Sequence, residues 1–117
     1  MKIFIILLMF FLSPALAQAD EDFWNHIHPV YHLDWPNINE RLDYKSCGCA
    51  GNCWVAKLWD VSTNKPMLKA QLRCDCEVAF AILPGSKTEI KYADSCESLT
   101  GEDKNSGIIY EMENIIQ

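Results

Sequence analysis

The chain has 117 residues, half of them hydrophobic, with ten Lys and Arg against sixteen Asp and Glu and a formal net charge of −6. That length holds one domain with a modest core and leaves no room for a second. The acidic balance argues against binding nucleic acid or anionic lipid surfaces, both of which reward clustered positive charge.

Residues 1–17 have the three parts of a secretory signal: the positive start Met1-Lys2, an unbroken apolar run from Ile3 to Leu12, and the small-residue end Ser13-Pro14-Ala15-Leu16-Ala17. Cleavage is predicted after Ala17, leaving residues 18–117 as a single small domain. A membrane anchor needs about 20 apolar residues in succession, whereas this run gives way to Pro14 and then to Gln18-Ala19-Asp20-Glu21-Asp22. A lipid anchor of the bacterial lipoprotein type would need a cysteine where Gln18 stands. The expectation is a periplasmic or secreted protein with no membrane insertion after signal cleavage. With Lys2 removed, nine Lys and Arg face sixteen Asp and Glu, a formal net charge of −7.

The next stretch is rich in aromatics and histidines: Phe23, Trp24, His26, His28, Tyr31, His32, Trp35 and Tyr44. Asp20, Glu21 and Asp22 suit the start of a short helix, which Pro29 ends by pushing His28 toward an extended conformation. A second short helix is predicted from Asn37, with Asn39-Glu40-Arg41-Leu42 in its body. His26, His28 and His32 are candidate copper or zinc ligands. Pro29 spoils an i, i+4 pair between His28 and His32, and no fourth ligand is defined, so no metal or other cofactor is assigned. Phe23, Trp24, Tyr31 and Trp35 are expected to cover a sheet. Where exposed, Trp24, Tyr31 and Trp35 are the candidate partner-binding residues, because Trp and Tyr are enriched at binding hot spots.

Six cysteines follow: Cys47, Cys49, Cys53, Cys74, Cys76 and Cys96. An even set in an exported chain of this size reads as a disulfide framework. Cys-Gly-Cys and Cys-Asp-Cys have a one-residue spacing, too short for the usual two to four residues between zinc-binding cysteines. From Leu68 to Ile82 the even positions are apolar or Cys, while the odd ones are mostly polar, which predicts a half-buried strand with a bend near its middle. Cys53 to Val61 is a second strand, joined to it by Ser62-Thr63-Asn64-Lys65-Pro66, and a third runs through Thr88, Ile90 and Tyr92 after the turn Leu83-Pro84-Gly85-Ser86. With Ser62 opposite Met67, Cys53 meets Cys76; with Ile82 opposite Thr88, Cys74 meets Cys96. Cys47 and Cys49 are then left to each other or to exchanged partners.

Ser98 to Gly107 reads as a loop, and Ile108, Ile109, Met112, Ile115 and Ile116 recur at helical spacing, predicting a closing amphipathic helix. The predicted class is α+β: a small antiparallel meander of about three strands, covered by the N-terminal aromatic segment with its short helices and by the C-terminal helix, and stapled by disulfides. No Gly-rich phosphate loop, Gly-x-Ser-x-Gly elbow or His-Glu-x-x-His helix occurs, so an enzyme is not the leading expectation. The leading expectation is an exported protein-binding module, such as an inhibitor, an immunity-type protein or an accessory subunit of an envelope assembly, toward which a basic partner would be steered. The alternative is a metal-binding or thiol–disulfide exchange protein, resting on the three histidines or on a strained Cys47–Cys49 ring.

Overall fold

The computed structural model describes residues 29–117, so the predicted signal peptide, the first predicted helix, Trp24, His26 and His28 lie outside the described residues. Six strands, β1 (Val30–Leu33), β2 (Glu40–Gly48), β3 (Cys53–Asp60), β4 (Met67–Asp75), β5 (Val78–Ile82) and β6 (Ile90–Ala93), form one antiparallel sheet in chain order. Two helices follow, α1 (Cys96–Thr100) and α2 (Lys104–Ile116). The class is α+β and disulfide-stapled, with twice the predicted number of strands.

The period-2 pattern explains the layers. Leu42 and Tyr44 on β2, Trp54, Ala56 and Leu58 on β3, and Ala70, Leu72 and Cys74 on β4 are all buried on one face, as alternation along a strand requires. Helix α2 lies across this face and adds Ile108 and Met112, both fully buried. Each such leucine taken out of water contributes about 1.5–3 kcal/mol. The predicted closing helix is therefore present. Its N-terminus is capped by Asp103, whose carboxylate accepts from the Ser106 backbone N–H at 3.3 Å. Helix α1 occupies part of the segment expected to be loop, and Ser95 caps it. Gly107 is where the two helices meet: a Cβ there would drive into the Thr100 backbone.

Three expectations are corrected. The long alternation from Leu68 to Ile82 is two strands, because the chain reverses between Asp75 and Val78, which face each other across the turn. Cys76 holds φ 60° in that turn, a conformation that normally selects glycine, and Glu77 N–H donates to the Asp75 carbonyl at 2.6 Å. Beyond the turn the buried set becomes Ala79 and Ala81, and Val78, Phe80 and Ile82 change face.

The predicted helix from Asn37 is instead a turn, with Glu40 N–H donating to the Asn37 carbonyl at 3.0 Å, followed by β2. The cover of the sheet among the described residues thus comes from α2, with Leu33 and Trp35 packed at the margin.

The β3–β4 register also differs. Asp60, not Ser62, faces Met67, and a bulge at Lys69 places Cys53 opposite Asp75. Ser62 instead joins the turn, where its backbone N–H donates to the Asp60 carboxylate at 2.9 Å. The disulfides are accordingly Cys47–Cys53, Cys49–Cys76 and Cys74–Cys96. The predicted Cys74–Cys96 bond is present and the predicted Cys53–Cys76 bond is not; of the two arrangements left open for Cys47 and Cys49, the structure has them bonded to exchanged partners.

Candidate functional site

The strand residues of opposite parity build the second face of the sheet. Val30 and His32 come from β1, Arg41, Asp43 and Lys45 from β2, and Val55, Lys57 and Trp59 from β3. Arg73 on β4, Phe80 on β5 and Lys91 on β6 continue it, and Leu68 joins Trp59 because the bulge at Lys69 shifts its parity. No helix covers this face among the described residues, and most of its side chains are only half-buried.

Its two halves differ electrostatically. On the β4–β6 half, Arg73 stacks 4.6 Å from the Phe80 ring centroid and donates twice to Glu89, at 2.9 Å from Nε and 2.7 Å from Nη2. These hydrogen bonds hold the Glu89 carboxyl below its ordinary value, against burial, and raise the Arg73 guanidinium. Lys91 is paired with Asp94.

On the β1–β3 half, Val30, Asp43, Tyr44, Lys45, Val55, Lys57 and Trp59 line a groove of about 280 Å³. Asp43 is already engaged there: its Oδ1 lies 3.0 Å from Arg41 Nε and 2.6 Å from His32 Nδ1. Lys57 extends over the Trp59 ring, 5.9 Å from its centroid, and stands directly opposite Asp43 in the β2–β3 register. The groove therefore combines an apolar floor of Val30, Val55 and Trp59 with walls that carry Asp43, Lys45 and Lys57.

A second distinctive place is the cysteine pole at the end of β2 and β4. Gly48, Cys49, Ala50 and Gly51 hold φ of 115°, 53°, 54° and 92° in succession, and Cys49 is bonded to Cys76, itself at φ 60°. Non-glycine residues in this region each cost on the order of 1–3 kcal/mol. The turn is tied down from outside: Lys104 Nζ on α2 donates to the Gly51 carbonyl at 2.9 Å and sits 5.4 Å over the Tyr44 ring. Cys47 and Cys49 are exposed, whereas Cys74 and Cys96 are buried.

The candidate residues separate. Tyr31, 57% exposed, lies on β1 opposite Tyr44, at the rim of the helix-covered face. Trp35 is half-buried against the core, and its Nε1 donates to Glu40 Oε1 at 2.9 Å. Glu40 also binds Lys69; burial pushes its carboxyl up, but the hydrogen bonds from Lys69 and Trp35 outweigh this and leave it below its ordinary value. Neither aromatic lines the groove. His32 is the one candidate histidine among the described residues, and its partner is Asp43. No group of three or more His, Cys, Asp or Glu among the described residues could hold a metal ion.

The groove residues Lys45, Val55, Lys57 and Trp59 are not singled out by motif. The available signal is that both alternating sets of β3, Trp54-Ala56-Leu58 and Val55-Lys57-Trp59, carry large apolar side chains, so that one face of the sheet cannot absorb both. No described helix is long and apolar enough to cross a membrane. No protein-family model, curated protein or solved structure matches the chain.

Proposed function

We propose that this chain is an exported, disulfide-stabilised protein-binding module, acting as an inhibitor, an immunity-type protein or an accessory subunit through the open face of its sheet. The observation that carries the reading is that face itself. Val55, Trp59, Leu68 and Phe80 lie uncovered among the described residues while α2 fills the opposite side. Apolar and aromatic side chains interleaved with cations suit a contact surface in which a few aromatic anchors dominate. Three disulfides accord with an oxidising compartment, where a domain with a small core gains most from them. Binding, not catalysis, is the activity proposed.

The test is affinity capture from the native extracytoplasmic fraction with the wild-type protein and with Trp59→Asp. One stoichiometric partner, retained by wild type and lost with the variant, supports the reading. General chaperones held equally by both overturn it.

A second reading, thiol–disulfide exchange, is favoured by the exposure and left-handed backbone of Cys49 in the Cys49–Cys76 bond. A client thiolate attacking the Cys49 sulfur would form a mixed disulfide and release the Cys76 thiolate. Under graded reductant, alkylation should mark Cys49 and Cys76 before Cys74 and Cys96; simultaneous opening of all three bonds rules this reading out.

A further inference from the structure

We infer that the outer edge of β1 takes an extended strand of the partner protein, paired to it backbone to backbone, with one large apolar side chain turned over Val30 into the groove. The inference rests on the protein-binding reading and specifies the form the partner has at this place.

The ladder is the first argument. The sheet order ends at β1, and among the described residues no strand pairs with its outer side. An edge strand turns half of its N–H and C=O groups away from the sheet, and what satisfies such a row is another extended chain. The opposite edge is guarded. On β6, Lys91 pairs with Asp94 and the Tyr92 hydroxyl donates to Glu111 on α2 at 2.8 Å. The chain then turns into α1, where the Cys96 N–H donates to the Glu77 carbonyl at 2.9 Å. Charged side chains are a common means of keeping an edge single. Strand β1 carries no Lys, Arg, Asp or Glu, and its Val30 and Tyr31 are 48% and 57% exposed.

Side chains are the second. Alternation puts Val30 and His32 on the open face and Tyr31 and Leu33 on the other. A residue opposed to Val30 on an added strand stands ~5 Å from it, at the mouth of the groove of about 280 Å³ that Val30, Val55 and Trp59 floor. A Trp, Phe or Leu at that position leans over Val30 onto the floor. Its sequence neighbours fall on the opposite face, beside Tyr31.

The third is how little a second copy offers. Two β1 edges paired about a two-fold axis would set only Val30 or His32 opposite Val30, since opposed residues share a face. Valine is too short to fill the groove, and His32 is bonded to Asp43. Such a contact also joins only the four residues of each β1, against ~20–30 residues a side in a stable interface.

The experiment is selection of random twelve-residue peptides displayed on phage against the immobilised disulfide-bonded protein, followed by titration of the best synthetic peptide. Apolar residues at alternate positions, one of them Trp, Phe or Leu, are expected. N-methylation of one alternate set of peptide amides should weaken binding roughly tenfold or more, and methylation of the other set should not. Val30→Lys should lower affinity by about tenfold, whereas Ile90→Lys on β6, 44% exposed in the wild type, should leave it unchanged. Unchanged urea midpoints show that both variants are folded. Amide hydrogen exchange should find one alternate pair of β1 amides fast in the protein alone and slow with peptide.

The inference is overturned by no enrichment, by methylation that acts equally on both sets, or by loss with Ile90→Lys instead of Val30→Lys. It is also overturned by β1 amides already slow without peptide, which would mean that a second copy or residues 18–28 hold the edge. If one of these occurs while the captured partner is still lost with Trp59→Asp, protein binding through the open face stands and the edge falls. Capture of general chaperones alone removes the broader reading, whatever the peptide does.

Discussion

The two faces of the sheet are made by the same strands and use apolar side chains in opposite ways. On the covered face Leu42, Leu58, Leu72, Ile108 and Met112 reach zero exposure, and the polar groups at its margin, Glu40 and Tyr92, are each hydrogen-bonded. On the open face Val55, Trp59, Leu68 and Phe80 are interrupted by cations and remain partly in water. A sheet needs only one buried face for stability, so apolar area kept on the second is available for binding.

The largest effect that tests this contrast is truncation. Leu58→Ala or Leu72→Ala should lower unfolding stability by about 2–5 kcal/mol. Phe80→Ala on the open face should cost about 1 kcal/mol or less, since its ring is already half in water. Urea denaturation measures both, and equal losses would erase the distinction between the faces. Next is Gly107→Ala. Helix propensity alone favours alanine by up to ~1 kcal/mol, but the new Cβ meets the Thr100 backbone, so a net loss of about 1–3 kcal/mol is expected. A gain would show that α1 and α2 have room to separate.

The smaller effects are electrostatic and separate the faces by pH. On the open face, the Arg73 hydrogen bonds hold the Glu89 carboxyl below its ordinary value of 4.5. A lowered folded pKa gives stability that is present above that value and lost as pH falls through the folded one. Glu89→Gln should thus cost up to about 1 kcal/mol near neutrality and flatten the acid limb of the stability profile. On the covered face, burial and then the hydrogen bond to Glu111 push the Tyr92 phenol up to about 12. A raised folded pKa gives stability that is present below the ordinary value of 10.0 and lost as pH rises toward 12. Absorbance at the phenolate band should show a late-titrating component that is missing from Tyr92→Phe.

Much of this contrast is written locally. The helical spacing of Ile108, Met112, Ile115 and Ile116 predicts α2, and the alternation in Ala70-Leu72-Cys74 predicts the covered face of β4. The reversal after Asp75 is not legible, because no Gly, Asn or Pro marks it. A cysteine adopts the left-handed conformation there, and what holds it is a bond to Cys49, 27 residues earlier. That hidden turn moves Phe80 and Ile82 from the expected core to the open face. It leaves small Ala79 in register with Cys74 and Ala93, beside the disulfide to Cys96. Strand β2 is missed for a different reason: Leu42 and Tyr44 are only two apolar positions, too few to separate period 2 from a short helix. The groove escapes because Val55, Lys57 and Trp59 form no motif and acquire meaning only beside Val30 and Lys45.

The strictly sequential strand order also sets the course of assembly. Every strand pairs with its immediate predecessor, so loops to be closed are short and the sheet can grow hairpin by hairpin as the chain emerges, the topology that favours rapid folding. The exception is the last step. Cys96 and α2 are made after all six strands and supply both the final disulfide partner and the lid over the core. Until they arrive, the face that α2 covers lacks that helix and Cys74 lacks its partner, and that interval is when the nascent chain is most exposed to wrong pairings.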